Sequence, residues 1–119
     1  MIDYRKIGRE KEDLAAEYLE KKGYFIIEKN YSVRQAELDI VARQNNTLVF
    51  SEVKYRKNDK TGHPLEAVNY NKQKKISKAA LFYMQQNKIS LYNTSIRFDV
   101  IGILDDNIIH IENAFDIVM

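Results

Sequence analysis

The stretch from Glu37 to Lys54 constrains the fold more than any other part of the chain. It consists of two apolar runs, residues 38–42 and 48–53, separated by the polar residues 44–47. Because Asn tolerates positive φ, Asn45-Asn46 fits the centre of a tight turn between antiparallel strands. The pattern therefore predicts a β-hairpin in which the numbers of paired residues have a constant sum.

This register brings charged residues together. Asp39 would face Glu52 and Glu37 would face Lys54, and side-chain alternation would place all four on one face. Two carboxylates directly opposite each other destabilise a hairpin by roughly 0.2–1 kcal/mol. A hard divalent cation, Mg²⁺ or Mn²⁺, would reverse the sign of this interaction. Lys54 is then a candidate to orient a water or to stabilise developing negative charge, so the hairpin predicts a nuclease-like site.

Composition limits the class of protein. The chain has 119 residues, 45% hydrophobic and 30% charged, which is typical of one globular domain with a real core. It has no cysteine, which excludes disulfides and cysteine-based zinc sites, and His63 and His110 are far apart in sequence. No apolar run approaches membrane-spanning length, and the N-terminus lacks a signal-peptide core. We therefore expect a cytoplasmic protein without a membrane partner.

The net charge of +2 conceals an asymmetry along the chain. All 19 Lys and Arg residues lie at or before Arg97, together with 12 of the 17 acidic residues, which gives +7 for that part. Five acidic residues and no Lys or Arg follow. A basic body fits a polyanionic partner, although a solvated charged surface explains the same numbers equally well.

Two segments have helical periodicity. The first helix is predicted from about Tyr4 to Lys22, ended by Gly23, with its apolar stripe at Ile7, Leu14, Ala15, Tyr18 and Leu19. Glu12 lies at the edge of this stripe, and spacing alone favours an exposed Glu over one that points along the buried face.

The second helix is predicted to start at a cap formed by Asn69 or Asn71 and to end near Asn87. Its apolar stripe consists of Val68, Ile76, Ala79, Ala80 and Tyr83. Lys72 falls on this stripe and Gln73 is beside it, so both need polar partners, which the carboxylates of the hairpin or a nucleic-acid backbone would supply.

The remaining segments are predicted strands and loops. The first strand covers residues 24–31, and the turn at 32–36 contains Arg34. The third strand continues to Arg56, the fourth covers 95–104 and the fifth 108–112. A helix between the third and fourth strands favours parallel pairing of the two. We therefore expect one α/β domain over residues 1–119, of order αβββαββ, with a mixed sheet flanked by helices.

Two further segments carry partner predictions. The composition of residues 57–64 predicts a polar loop that would be a mobile flap beside the carboxylates. The apolar tail at 113–119 packs either on the body or on a second subunit, which leaves a homodimer open. Basic residues around the flap, in the turn at 32–36 and on the second helix suit contacts with phosphates, although solvated side chains are the simpler alternative. These residues are Arg34, Arg56, Lys57, Lys60, Lys72, Lys74 and Lys75.

The order of elements, with Asp39 on the second strand and Glu52-x-Lys54 on the third, resembles the PD-(D/E)xK nuclease superfamily. The chain more closely resembles the YraN-like family of small bacterial proteins over nearly its whole length. The stretches that carry this resemblance include IGREKEDLA, KKGYFIIEKNY, AELDIV, LVFSEVKYR and HPLEAVNYNKQKKI.

The resemblance implies a restriction-endonuclease-like domain with a core similar to Holliday-junction resolvases. It implies metal ligands at Glu12, Asp39 and Glu52 and catalytic roles for these three residues and for Lys54 and Gln73. Glu37 and Arg56 also match family positions. These assignments imply Mg²⁺ or Mn²⁺ as the cofactor and DNA, including branched DNA, as the substrate.

Three functions remain open at this point. The first is a metal-dependent nuclease that hydrolyses DNA phosphodiester bonds. The second is a nucleic-acid-binding module that keeps the basic surface without catalysis. The third is an interaction protein in which Lys54 neutralises Glu37 or Glu52 for structural reasons. Fold analogy by itself does not choose among them.

Overall fold

The computed structural model of the protein describes residues 1–57 and 67–119. The described elements are α1 (Tyr4–Lys21), β1 (Phe25–Val33), β2 (Ala36–Gln44), β3 (Thr47–Arg56), α2 (Tyr70–Gln86), β4 (Ser95–Leu104) and β5 (Asn107–Phe115). This is the predicted order of elements. The predicted flap at 57–64, which contains Lys60, lies outside the described residues except for Lys57.

The five strands form one mixed sheet in the order β1-β2-β3-β4-β5. Neighbouring strands are antiparallel except β3 and β4, which pair in parallel from Thr47–Ser95 to Arg56–Leu104. The segment between β3 and β4 contains α2, which packs on the sheet, so the predicted crossover and its parallel pairing are confirmed.

The hairpin has the predicted register near its turn. Paired positions run from Gln44–Thr47 to Ile40–Ser51, and every pair has the same sum. Asn45 takes a φ of 54°, a left-handed conformation that Asn accepts at low cost, which explains why the turn falls at this dipeptide.

The two helices cover opposite faces of the sheet. Ala15, Ala16 and Leu19 of α1 pack on one face, and the predicted stripe of α2 packs on the other. Alternate residues of β2 and β3 fill both interfaces, because a strand presents successive side chains to opposite sides. One prediction for α1 is wrong, since Leu14 is exposed and Ala16 takes the buried position instead.

Both helices end where the sequence indicates. Gly23, at φ 92°, donates its N–H to Glu20 O, and Tyr24 donates to Leu19 O, which is a Schellman motif that closes α1. At the start of α2 the side chain of Asn69 accepts the N–H of Lys72 at 3.0 Å, so Asn69 is the cap.

The C-terminal segment packs on the protein's own body. β5 extends to Phe115, beyond the predicted end at residue 112, and Ala114, Phe115 and Ile117 pack against the core on the α2 side. Val118 donates its N–H to Ser77 Oγ at 2.9 Å. Of the two alternatives for this tail, the structure has the intramolecular one. Neither described helix combines the length and apolar character that a bilayer span requires.

Candidate functional site

The regular pairing of the hairpin ends at the point where its acidic residues begin. Paired positions between β2 and β3 stop at Ile40–Ser51, while β2 remains paired with β1 and β3 with β4. Beyond this point the N–H of Val53 donates to the side chain of Asp39, at 2.8 Å from Oδ2. The expected cross-strand pairs of Asp39 with Glu52 and of Glu37 with Lys54 are therefore absent from the ladder.

Side-chain alternation also slips by one residue at Asp39. Leu38 packs in the core on the α2 side, whereas Ile40, two residues later, packs on the α1 side. Residues two apart in a regular strand share a face, so β2 is rotated locally at Asp39. The prediction that Glu37, Asp39, Glu52 and Lys54 project from one face is wrong for this reason.

Strand β1 has the same irregularity opposite Asp39. Lys29 bonds to Asp13 of α1 at 2.7 Å, but Tyr31 packs edge-on against Tyr83 of α2. Asn30 between them has a φ of 57°, which rotates the chain. Asn accepts this conformation more readily than most residues, so Asn30 allows both strands to turn together.

The local rotation gathers three carboxylates. Glu12 of α1 and Glu37 and Asp39 of β2 each offer an oxygen, and these oxygens lie within 4.8 Å of one another. With its amide nitrogen facing the acids, Asn30 donates to Glu12 Oε1 at 2.7 Å and to Glu37 Oε1 at 3.2 Å. Glu12 thus points along the buried face of α1, contrary to what its spacing favoured.

The three acids of this cluster repel one another and differ in burial: Asp39 is buried, Glu12 is half-buried and Glu37 is exposed. Burial raises the pKa of Asp39 to about 9, with the charge of Glu52 as the second cause. The pKa of Glu12 is raised by burial and then by the charge of Glu37. Within residues 1–57 and 67–119, no Lys or Arg forms an ion pair with Glu12, Glu37 or Asp39.

Glu52 lies near Asp39, but lysine side chains contact its carboxylate. It is buried, and its Oε1 lies 3.3 Å from Lys54 Nζ and 3.5 Å from Lys72 Nζ. The hairpin therefore supplies the partner that Lys72 needed on its core-facing stripe. Gln73, in contrast, donates to Val68 O at 3.1 Å, and its described hydrogen bonds include none to the four carboxylates.

A cavity of about 450 Å³ opens beside the cluster. It is lined by Arg5, Gly8, Arg9, Glu12, Asn30 and Glu37. Arg5 and Arg9 were not predicted as site residues, although they precede Glu12 by seven and three residues, a spacing that places all three on one helix face. Asn30 was not predicted either, because nothing distinguishes it within a strand of β-forming residues.

The predicted basic residues are divided among several places. Arg34 and Lys75 lie together in a groove of about 410 Å³, with Lys78 and Phe82. Lys74 Nζ lies over the ring of Tyr70 at 5.9 Å. Arg56 donates to Tyr55 O at 2.9 Å, and Lys57 is exposed at the end of β3.

A second polar cluster, which the sequence analysis also missed, lies across β4 and β5. Asp99 accepts hydrogen bonds from Arg97 Nε at 2.8 Å and Nη2 at 2.9 Å, and from the N–H of Asn113 at 3.0 Å. His110 Nε2 lies 2.7 Å from Asp99 Oδ2. Arg97 also donates to Tyr24 Oη at 2.6 Å. The cluster ties the two strands to the end of α1.

Comparison with known proteins identifies the family. Residues 11–103 match the model of Uncharacterised protein family UPF0102. The chain is 48% identical over 110 residues to a UPF0102 protein of Thermodesulfovibrio yellowstonii, and the matched stretch covers 92% of this chain and 96% of that protein. A UPF0102 protein of Lachnoclostridium phytofermentans is 47% identical over 109 residues, 92% of each chain.

A more divergent relative matches over a similar length. The chain is 41% identical over 116 residues to a UPF0102 protein of Vibrio campbellii, which covers 96% of this chain and 95% of that protein. These matches confirm the resemblance to the YraN-like family that the motifs indicated. The chain belongs to Uncharacterised protein family UPF0102.

Proposed function

We propose that this protein is a metal-dependent nuclease that hydrolyses phosphodiester bonds in DNA. The observation that carries the proposal is the group of three carboxylate oxygens, from Glu12, Glu37 and Asp39, within 4.8 Å of one another. A fold maintained only for stability gains nothing from three acids that repel each other beside the buried Asp39, whereas a cation makes the same arrangement favourable.

The donor set fits Mg²⁺ or Mn²⁺. Both cations take oxygen ligands, and the three side chains provide carboxylate oxygens without sulfur or imidazole. The raised pKa of Asp39, about 9, means that cation binding would release a proton from it near neutral pH. The chemistry that such a cation supplies is a bound water of lowered pKa and charge stabilisation at the scissile phosphate.

Glu52, Lys54 and Lys72 supply the charge next to this centre. The Glu52 carboxylate holds both ammonium groups, at 3.3 and 3.5 Å, and is close enough to Asp39 to raise its pKa. Lys54 offsets the negative charge that develops on the phosphate, and Glu52 fixes its position. Arg5 and Arg9, which line the cavity beside Glu12, contact the DNA backbone.

A non-catalytic nucleic-acid-binding module is the second candidate. It is favoured by one observation, namely that Lys54 and Lys72 both occupy the same oxygen of Glu52. An ion-pair arrangement of this kind satisfies three buried or half-buried charges without any substrate.

Cleavage assays on Lys54→Ala separate the two candidates. Single strands, duplexes, flaps and four-way junctions are incubated with Mg²⁺, Mn²⁺ or chelator, with Lys21→Ala as a control, since Lys21 is exposed and pairs with Glu17 on α1. We expect the parent and Lys21→Ala to cut at least one structure with metal. Lys54→Ala should be slower by about 10²- to 10³-fold while keeping its metal-induced rise in Tm.

Two results would contradict the proposal in different ways. Equal cleavage by Lys54→Ala and the parent removes Lys54 from the mechanism. If the parent binds DNA but cuts no structure with either metal, the binding module is the correct function.

A further inference from the structure

We propose that the groove between the β1–β2 turn and α2 binds an unpaired nucleotide, with its base stacked on Phe82 and its phosphates held by Arg34, Lys75 and Lys78. The inference rests on the proposed function and deepens it. It specifies DNA with a single-stranded segment next to the carboxylate cluster as the substrate class.

The groove has the size and walls of a ligand site. Its volume is about 410 Å³, within the range of small-molecule pockets, which starts near ~300 Å³. The turn that contains Arg34 forms one wall. Lys75, Lys78 and Phe82 form the other, because residues three and seven positions apart lie on one side of a helix.

The charge of the groove matches a nucleic-acid backbone. Arg34, Lys75 and Lys78 are exposed, and none of them forms an ion pair with any residue in 1–57 or 67–119. Lys72, one turn earlier on α2, is instead held by Glu52 at 3.5 Å. The groove thus presents three cations without a carboxylate in its lining, which complements successive phosphates.

Phe82 supplies the stacking surface. Its side chain is 47% exposed, whereas Tyr83, the next residue on α2, is buried in the core. The ring also borders a second cavity of about 410 Å³, lined by Tyr31, Gln85 and Gln86. An aromatic ring next to open space and to cations is the arrangement by which proteins bind single-stranded nucleic acids with little sequence preference.

The groove is adjacent to the carboxylate cluster along the chain. Ala36 lines the groove, and Glu37, the next residue, lines the cavity beside Glu12. Because α2 and α1 cover opposite faces of the sheet, a DNA strand that contacts both places passes around the edge of the sheet at the β1–β2 turn. A fully paired duplex would keep its bases stacked inside the helix and leave Phe82 without a partner.

Fluorescence of oligonucleotides that contain 2-aminopurine tests the stacking contact directly. Binding is measured in chelator, so that cleavage does not interfere, with single-stranded and duplex DNA. We expect the parent to quench the single strand, and Phe82→Ala to lose the quenching and to bind it about 5- to 150-fold more weakly. Duplex affinity should change less than about twofold, and Phe82→Trp should restore both readouts.

Phe25→Ala is the matched control. Phe25 is 60% exposed on β1, and Arg43 lies 5.1 Å from its ring, so it combines an exposed phenyl group and a cation outside the groove. Its replacement should leave quenching and affinity unchanged. Melting curves of all variants establish that they are folded.

Several results would overturn the groove assignment. The first is unchanged quenching and affinity in Phe82→Ala, and the second is an equal loss of affinity for duplex and single strand. The third is a parent dimer that shows no quenching and that Phe82→Ala dissociates, which would assign the groove to a second copy of the chain. Quenching that depends on Phe82 in a protein that cuts nothing supports the groove and rejects the nuclease. Cleavage without such quenching does the opposite.

Discussion

Asp39 on β2 and Asp99 on β4 are both buried acids of one sheet, but hydrogen-bond donors surround Asp99, whereas other carboxylates surround Asp39. Asp39 is 8% exposed and Asp99 is fully buried. Asp99 is contacted by donors from Arg97, His110 and the backbone of Asn113. Asp39 receives the N–H of Val53 and otherwise faces other carboxylates.

Their pKa values differ accordingly. Burial alone would raise the pKa of Asp99, but hydrogen bonds from His110 and Arg97 outweigh it and the pKa is lowered. Burial raises the pKa of Asp39 to about 9, and Glu52 adds to the shift. The fold thus provides Asp99 with several hydrogen-bond donors, whereas Asp39 accepts the N–H of Val53 and lies among carboxylates. Burial of an acid therefore does not by itself decide the direction of its pKa shift; the donors and charges around it do.

The largest expected effect separates the two acids by stability. Asp99→Asn should destabilise the protein by up to ~3–5 kcal/mol, because it leaves the half-buried charge of Arg97 without its carboxylate partner. The measurement is urea unfolding of the parent and the variant at neutral pH. A loss below about 1 kcal/mol would show that the cluster around Asp99 is not a stabilising structure.

Asp39→Asn is the matched substitution in the other region. In chelator it should be neutral or stabilising, since Asn keeps an oxygen for the N–H of Val53 and carries no charge that burial and Glu52 would force to take up a proton. With metal at 100 times its Kd the parent should gain ~2.7 kcal/mol by mass action, and the variant should lose most of this gain.

Four melts of the parent and Asp39→Asn, each with chelator and with excess Mg²⁺ or Mn²⁺, provide this measurement. If Asp39→Asn is clearly less stable in chelator and neither protein responds to metal, Asp39 is a structural acid like Asp99. The metal centre and the nuclease mechanism would then be wrong.

The pH dependence of stability should differ in sign between Asp39 and Asp99. In chelator, native Asp39 binds a proton more tightly than it does in the unfolded chain, so the parent should lose stability as pH rises from about 4 to about 9. Asp99 has the opposite sign, and its contribution is present above about pH 4 and lost below it.

Unfolding free energies between about pH 4 and about pH 9 test the sign for Asp39, and those below about pH 4 test the sign for Asp99. Asp39→Asn should flatten the profile above about pH 4, whereas Asp99→Asn should leave that slope unchanged and reduce the loss of stability below about pH 4. A parent profile that rises steadily toward pH 9 in chelator would contradict the raised pKa of Asp39.

Ser51 provides the smallest expected effect. It lies between the two regions, paired with Ile40 in β2 and with Asp99 in β4, and its buried hydroxyl has no hydrogen-bond partner among the described residues. Ser51→Ala should be neutral or stabilising by up to about 1 kcal/mol, since it removes an unsatisfied polar group. A loss above 1 kcal/mol in urea unfolding would indicate that the hydroxyl has a partner.

The elements themselves were predictable from local signals. The turn at Asn45-Asn46, the end of α1 at Gly23 and the cap at Asn69 depend on the conformations and hydrogen bonds that single residues favour. The parallel pairing of β3 and β4 follows from the helical crossover between them. These features depend on neighbours within a few residues or on connection length, so the sequence contains the necessary information.

The candidate site was predictable in part. Glu12, Asp39, Glu52 and Lys54 were identified from the hairpin and the family resemblance, and the structure brings them to one end of the sheet. Their arrangement was predicted incorrectly, because strict alternation would have required β2 to remain regular. The rotation at Asp39 lies opposite Asn30, whose left-handed conformation in another strand no periodicity within β2 reveals.

Local sequence signals were thus sufficient to predict the order of helices and strands and the register next to the turn. Long-range contacts in the folded chain determine which of two buried acids is neutralised and which lies among other carboxylates. The physical reason is that a pKa depends on donors and charges within a few ångströms. Around Asp99 and Asp39 these groups come from strands and a helix that are distant in sequence.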